Sequence, residues 1–227
     1  MYSIAIDGPS SSGKSSIATL VAERLNILHL NTGELYRAIG LYAFKNGLMS
    51  QLDDNGMAIV KEEEIQKIVD NSHIEVKYID GKQHTYLNDD DVSDLLHTPI
   101  ISDYSSRVSA IKEIRQHVLS IQRDIAESNN VVMEGRDITS HVLPNAKYKF
   151  FVTASPEIRA QRRLNEMLEK GLKCTYEEVL EDLKQRDIRD TTRDVCPLVV
   201  VPDAIVLDST DCSLDEMVNM LLSYIKE

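Results

Sequence analysis

The sequence predicts an α/β fold, a three-layer α/β/α arrangement around a five-stranded parallel sheet. Three observations carry this expectation. Short apolar runs alternate with segments whose apolar residues recur at helical spacing, the pattern of strands and crossover helices. One stretch, His73 to Leu87, alternates with period two around Asp80-Gly81 and predicts a small antiparallel insert. A glycine-bounded loop, Gly8 to Gly13, joins the first apolar run to the first helical segment.

Taken in order, Tyr2 to Ile6 reads as a buried strand, and Ile17, Leu20, Val21 and Leu25 mark a helix. Asn26 to Leu30 is a second short strand. Asn31 then caps a helix, with Glu34 as its capping-box partner and Gly47 as its stop. Asp53 to Asp70 is weakly helical and acidic. The runs Glu62-Glu63-Glu64 and Asp89-Asp90-Asp91 read as solvated faces. After the hairpin, helical spacing returns at Ile111, Ile114, Val118, Ile121 and Ile125, with Ser106 and Arg107 before this helix and Arg115 on its polar side. Asn130 to Glu134 is a third strand, running into Gly135-Arg136-Asp137, and Lys147 to Thr153 a fourth. Ser155-Pro156-Glu157 opens a helix with proline at its first position, and Tyr176 to Arg189 forms another. Ala204 to Leu207 is the fifth strand, and Ser213 to Ile225 closes the chain as an amphipathic helix. The expected organisation is a core of residues 1–58, 96–154 and 194–227, an insert at 59–95 and an arginine-rich helical lid at 155–193.

With 227 residues the chain is long enough to bury a substantial core. No apolar run approaches a membrane span, no signal-peptide pattern opens the chain, and Cys174, Cys196 and Cys212 lack metal or disulfide spacing. A reduced, cytoplasmic, soluble protein is expected, and a monomer, since no interface signal stands out. A net charge of −12 argues against nucleic acid or an anionic membrane as partner. The cations are concentrated instead: Arg159, Arg162, Arg163, Arg186, Arg189 and Arg193 fall in one short region.

The loop residues Gly8, Pro9, Ser10, Ser11, Ser12, Gly13, Lys14 and Ser15, followed by Ser16, fit G-x-x-x-x-G-K-[ST] between a strand and a helix. That is the phosphate-binding P-loop in its confirming context. Such a loop turns backbone N–H groups inward around a polyphosphate, and the glycines permit the turn. The helix adds its positive end. Lys14 reaches the β- and γ-phosphates, and the Ser15 hydroxyl suits Mg²⁺.

Phosphoryl transfer needs cations around the transferring group. Arg159 and Arg163 are four residues apart, and Arg186, Arg189, Asp190 and Arg193 recur at three to four. Salt-bridged surface helices would give the same pattern, with Glu157, Glu166, Glu181 and Asp187 as partners; beside a P-loop, a helical hairpin closing over phosphates is the better reading. Arg37 is either a surface arginine or a ligand at the carboxyl edge of a strand. Glu134 is the nearest equivalent of a Walker-B acid, and no N-K-x-D is present to read guanine.

Together these motifs resemble those of the bacterial-type cytidylate kinases, the (d)CMP kinases of the nucleoside monophosphate kinase group. They are A-I-D-G-P-S-S-S-G-K-S at 5–15, T-G-E-L-Y-R at 32–37, E-G-R-D at 134–137, R-A-Q-R-R at 159–163, R-D-x-R-D-x-x-R at 186–193, Cys196-Pro197-Leu198 and L-D-S-T at 207–210. The resemblance implies a P-loop NTPase core with a nucleoside-monophosphate-binding insert and a lid, using ATP with Mg²⁺ to phosphorylate CMP and dCMP. It implies that Lys14 and its loop hold the ATP phosphates, with Ser15 near Mg²⁺. Arg37, Arg136 and Arg193 would grip the CMP phosphate, with Thr32 and Tyr36 lining that pocket. Asp190 and Arg186 would contact the pentose, and Ser106, Arg115 and Asp137 the base. Arg159 and Arg163 would meet phosphates on lid closure. Three places depart from the pattern: Ser11 for a glycine, Asn31 for an aspartate, and Ile138-Thr139-Ser140-His141 for I-G-T-V. A P-loop kinase for AMP, UMP or shikimate, or a slow ATP-hydrolysing switch protein, would share part of these signals.

Overall fold

The computed structural model describes residues 1–51 and 61–225. In chain order they form β1 (Ser3–Asp7), α1 (Lys14–Leu25), β2 (Leu28–Asn31), α2 (Thr32–Lys45), α3 (Glu62–Asn71), β3 (Ile74–Ile79), β4 (Lys82–Leu87) and β5 (Asp90–Asp91). There follow α4 (Pro99–Val108), α5 (Lys112–Ser128), β6 (Val131–Gly135), β7 (Tyr148–Thr153), α6 (Pro156–Glu169), α7 (Tyr176–Thr192), β8 (Ile205–Asp208) and α8 (Leu214–Ser223). They group into two compact units, Met1–His29 with Asn129–Glu227, and Leu30–Ser128.

The first unit is built on a five-stranded sheet in the order β2-β6-β1-β7-β8. β1 runs parallel to β6 and β7, and β7 parallel to β8. The central strand is buried almost throughout, so Ile4, Ala5 and Ile6 form an unbroken apolar run rather than an alternating one. Ile4, Ile6, Phe150 and Val152 pack with Ile17 and Val21 of α1 and Met217 and Leu221 of α8. Register then decides where chemistry can occur. Asp7 lies opposite both Gly135 and Phe151, and Thr153 opposite Asp208. The segments leaving β1, β6, β7 and β8 therefore start from one carboxyl edge, where ligands bind in open α/β sheets.

The second unit packs α2 closely on α4. A Cβ on Gly40 would stand 2.8 Å from the Ser105 amide nitrogen, so only glycine allows this approach. The hairpin forms as expected, Ile74 opposite Leu87 through Ile79 opposite Lys82, with positive φ at both Asp80 and Gly81. Four expectations are corrected here. The acidic segment after the hairpin contains β5, paired with β4, because Asn88 and Asp89 both take positive φ and turn the chain back. Glu34 does not close a capping box: Asn31 alone caps α2 by accepting from the Gly33 amide, and Glu34 accepts instead from the Thr85 hydroxyl at 3.1 Å. Glu64 is no mere solvated charge, since its carboxylate takes the Met49 amide at 3.2 Å. Arg115 is only 5% exposed, not on a polar face. The weakly helical stretch from Asp53 and the boundary at residue 58 lie partly outside the described residues; the described part of that stretch is α3.

Candidate functional site

The loop after β1 is shaped by its backbone first. Gly8 has φ of 148°, and a Cβ there would sit 1.9 Å from the Val152 carbonyl oxygen, so no side chain can occupy the position. Ser11 takes φ of 59° despite its side chain, and Gly13, at 89°, caps α1. Lys14 is buried behind the loop, its Nζ donating to the Pro9 carbonyl at 2.6 Å and standing 3.4 Å from Ser12 Oγ. Ser15 and Ser16 are exposed at the start of α1, whose first-turn N–H groups have no intrahelical partner.

Three residues from elsewhere in the unit brace the loop. Ser209 Oγ donates to the Ser12 carbonyl at 3.0 Å, and Arg162 donates to Ser209 through Nη1 and Nη2 at 2.9 and 2.6 Å. Arg159, 3% exposed, donates to the Ser10 and Ala154 carbonyls and forms a two-pronged pair with Asp187 at 2.6 and 3.1 Å. Arg163, the other arginine expected in the lid, pairs with Glu166 on its own helix at 3.2 Å. A cleft of about 490 Å³ opens beside the loop, lined by Ser11, Gly13, Ile17, Arg162, Cys212 and Met217 among others. From the sequence Arg162 is one member of the arginine cluster, with no role of its own. Its signal is only its place between two assigned arginines, and the cleft that it faces is a tertiary feature.

A second set of cations gathers around Asp190, which is 8% exposed on α7. Arg136 Nε donates to its carboxylate at 2.9 Å. Burial alone would raise the Asp190 carboxyl; Arg136, Arg186 and Arg193 outweigh it and hold the group below the usual aspartate range. Burial, reinforced by Arg136 and then opposed by Glu134 and Asp7, pushes the Lys14 ammonium well below the usual lysine range. Arg186 adds to the same lowering, so two of the arginines around Asp190 are felt at Lys14. Arg193 Nε donates to the Cys196 carbonyl at 2.8 Å, and its Nη2 stands 4.0 Å from Asp137 Oδ1. Glu134, buried beneath the loop, is raised by desolvation but brought lower overall by His29, Lys14 and a hydrogen bond from Ser15. His29 itself was not foreseen; it stands 3.6 Å from Glu134 and 3.2 Å from the Thr19 hydroxyl.

Asp7 is the residue that the sequence hid most completely. It is fully buried at the end of β1, and its carboxylate accepts from the Ile138 amide, the Thr139 amide and the Thr139 hydroxyl. Residues Ile138–Val142 form a π-helical turn directly after Arg136 and Asp137. Nothing in the spacing of Asp7 points to donors 131 residues away.

In the second unit, Tyr36 on α2 and Arg115 on α5 come together, the guanidinium 5.4 Å from the ring centroid. Arg115 Nη1 also donates to the Ser109 carbonyl at 2.9 Å. Arg37 donates to the Leu96 carbonyl at 2.9 Å and to Ser102 Oγ at 2.7 Å. Thr32 is buried at the start of α2, and Ser106 half-buried on α4.

Among the described residues no cluster of three or more histidine, cysteine or carboxylate groups could hold a metal ion, and no helix is long and apolar enough to cross a membrane. A family profile described as cytidylate kinase matches residues 4–227. A cytidylate kinase from Caldicellulosiruptor saccharolyticus is 42% identical over 219 residues, covering 96% of this chain and 93% of that one. One from Thermotoga maritima is 40% identical over 226 residues, covering 100% and 97%. Among solved structures, an uncharacterized protein from Eubacterium ventriosum aligns with a TM-score of 0.50 at 16% identity, over 99% of this chain and 97% of that one, a likeness of fold.

Proposed function

The chain belongs to the cytidylate kinase family, and on that premise we propose that it transfers the γ-phosphoryl group of ATP to CMP and dCMP. The observation that carries this reading is the gathering of Arg136, Arg186 and Arg193 around Asp190, with Arg136 and Arg186 also acting on Lys14. A P-loop by itself holds a donor. Cations at the same sheet edge supply what a phosphate acceptor needs, because charge spreads over the phosphoryl oxygens in the transition state.

The donor phosphates lie in the loop from Gly8 to Ser16, with Lys14 turning from the Pro9 carbonyl toward them. Arg136 and Arg193 hold the acceptor phosphate, and Asp190 and Arg186 the pentose. The family resemblance assigns Arg37, Thr32 and Tyr36 to phosphate binding as well. No general base is required, since a phosphate monoester with a second pKa of about 6 is already ionised near neutrality. Catalysis is positioning and charge neutralisation, by in-line transfer without a covalent enzyme intermediate.

Ser15 and Glu134 suit a divalent cation such as Mg²⁺: one is a hydroxyl at the head of α1, the other a buried carboxylate that it hydrogen-bonds. A bound cation would neutralise charge on the donor phosphates. A cytoplasmic monomer acting on small molecules belongs to the same proposal, since a net charge of −12 repels polyanionic partners.

Base choice follows from hydrogen-bond chemistry. The family resemblance gives the base to Asp137, Arg115 and Ser106: a carboxylate accepts from the N4 amino group of cytosine, while a guanidinium and a hydroxyl can donate to N3 and O2. Uracil reverses donor and acceptor at two of those positions. Mispairing buried polar groups costs discrimination on the order of 10²-fold. The test is kcat/KM with CMP and with UMP at saturating ATP. A preference of that order for CMP is expected, and equal values would overturn the acceptor assignment.

A further inference from the structure

We propose that Asp7 and Thr139 act as a positioning pair that sets the Arg136-Asp137 turn, and through it the enzyme's selectivity for its acceptor. The inference rests on the reading above, in which that turn faces the acceptor.

The π-helical turn at Ile138–Val142 has no local cap. The Asp137 carbonyl accepts from the His141 and Val142 amides, at 2.9 and 3.0 Å, and the Ile138 carbonyl from the Leu143 amide at 2.8 Å. The first N–H groups of such a turn have no partner inside it. Asp7 takes them. Oδ1 accepts from the Ile138 amide at 2.9 Å, and Oδ2 from the Thr139 amide at 2.7 Å and the Thr139 hydroxyl at 2.6 Å.

All three residues are buried: Asp7 and Ile138 at 0% exposure and Thr139 at 1%. Shut away from bulk solvent, the carboxylate depends on these donors. Asp7 also lies beside Gly135 in the β1·β6 register and is followed directly by Gly8. One side chain thus ties the entry of the donor loop to the turn that presents Arg136 and Asp137. Because those two residues leave β6 consecutively, any displacement of the turn moves both.

The hydroxyl is the informative atom. Thr139 stands in the loop where the resembled family carries glycine, so this chain has a third donor to Asp7 that a glycine could not supply. Desolvation raises the Asp7 carboxyl, and the Thr139 hydroxyl is the largest influence opposing it. Removing it leaves a buried carboxylate with only two donors, both of them main-chain groups of the turn itself.

Thr139→Val keeps the shape and deletes the donor; Thr139→Ser keeps the donor. KM and kcat for CMP, UMP and ATP are measured for both and for the wild type, with Tm recorded alongside. In Thr139→Val the CMP-over-UMP ratio is expected to fall about tenfold relative to wild type, on the scale of one lost hydrogen bond to a buried charge. The fall enters mainly through KM for CMP, with KM for ATP within about twofold. Thr139→Ser is expected to recover most of the ratio. An unchanged ratio in folded Thr139→Val overturns the proposal. So does a fall shared equally by both acceptors in step with Tm, which marks a purely structural hydrogen bond. The wild-type ratio tests the acceptor reading, and the change from wild type tests the positioning pair, so the two fail separately.

Discussion

Ser11 holds φ of 59° in a loop whose other strained positions, Gly8 and Gly13, carry no Cβ. A left-handed non-glycine residue costs about 1–2 kcal/mol, while glycine gives back up to about 1 kcal/mol through the unfolded chain. Ser11→Gly is therefore expected to stabilise by about 0.5–1 kcal/mol, which for a chain of this size raises Tm by about 1–4 °C. A thermal melt measures it, and a lower Tm would mean that the serine conformation carries no strain. The glycine-lysine pattern makes the loop itself readable from sequence. Asp7 is not, because a strand-ending aspartate has no signature until the chain brings Ile138 and Thr139 to it. Arg115 is a similar case. Its spacing on α5 suggests solvent, and only the packing of Tyr36 and the Ser109 carbonyl explains its burial.

Among the elements, α6 best separates what spacing reveals from what it conceals. Arg159 and Arg163 share a face by count, yet one is locked to Asp187 of α7 and the other to Glu166 one turn on. Arg162, between them, reaches Ser209 beside the loop that follows β1. Arg159→Ala is expected to cost about 2 kcal/mol, below the 3–5 of a fully buried pair because Asp187 keeps some exposure. Arg162→Ala is expected to raise KM for ATP about tenfold with a smaller loss of stability, since it removes a polar group lining the cleft. Melts and steady-state kinetics on both variants distinguish the roles. An Arg159→Ala enzyme with wild-type Tm and lost turnover would return that residue to the phosphates. Helix starts with caps, such as Ser155 before Pro156, and the Asp80-Gly81 hairpin are legible because their chemistry is local. α4 opens on the same signal, Thr98 before Pro99, and β5 is masked in the sequence because its acidic residues follow two turn-forming ones, Asn88 and Asp89.

Over the whole molecule, 37 acidic residues face 25 lysines and arginines, so the buried ion pairs matter most in acid. Asp190 and Glu134 both titrate below their ordinary values when folded. Each therefore contributes stability that is present above the unfolded value, about 3.9 for aspartate and 4.3 for glutamate, and lost as pH falls through the folded one. Asp7 works in the opposite sense: its raised carboxyl stabilises the fold most when protonated and loses that contribution as pH rises. The urea midpoint is expected to drop below about pH 4, since the lowered carboxylates, with Asp91, Asp203, Asp208 and Glu216 held down by local hydrogen bonds as well, outnumber the one raised carboxyl. Asp190→Asn is expected to lower the unfolding free energy at pH 7 by about 2 kcal/mol and to flatten the acid limb. An acid limb unchanged by that substitution would exclude Asp190 as a source of the dependence. The parallel sheet and its carboxyl edge follow from alternating elements that the sequence displays plainly, whereas the strand order is a tertiary feature. The convergence of Arg136, Arg186 and Arg193 on one aspartate does not, because it joins β6 to the far end of α7.

The Lys14 ammonium rests on the Pro9 carbonyl, shut away from water before any nucleotide arrives. Stripping that cation of its hydration shell is thus work done while the polypeptide collapses, not while the ligand docks. If Lys14 serves the donor phosphates as proposed, a polyanion entering the nest meets a bare charge and has only to displace a main-chain oxygen. The folded chain carries that tension as a standing electrostatic load, which on the same proposal the incoming triphosphate discharges.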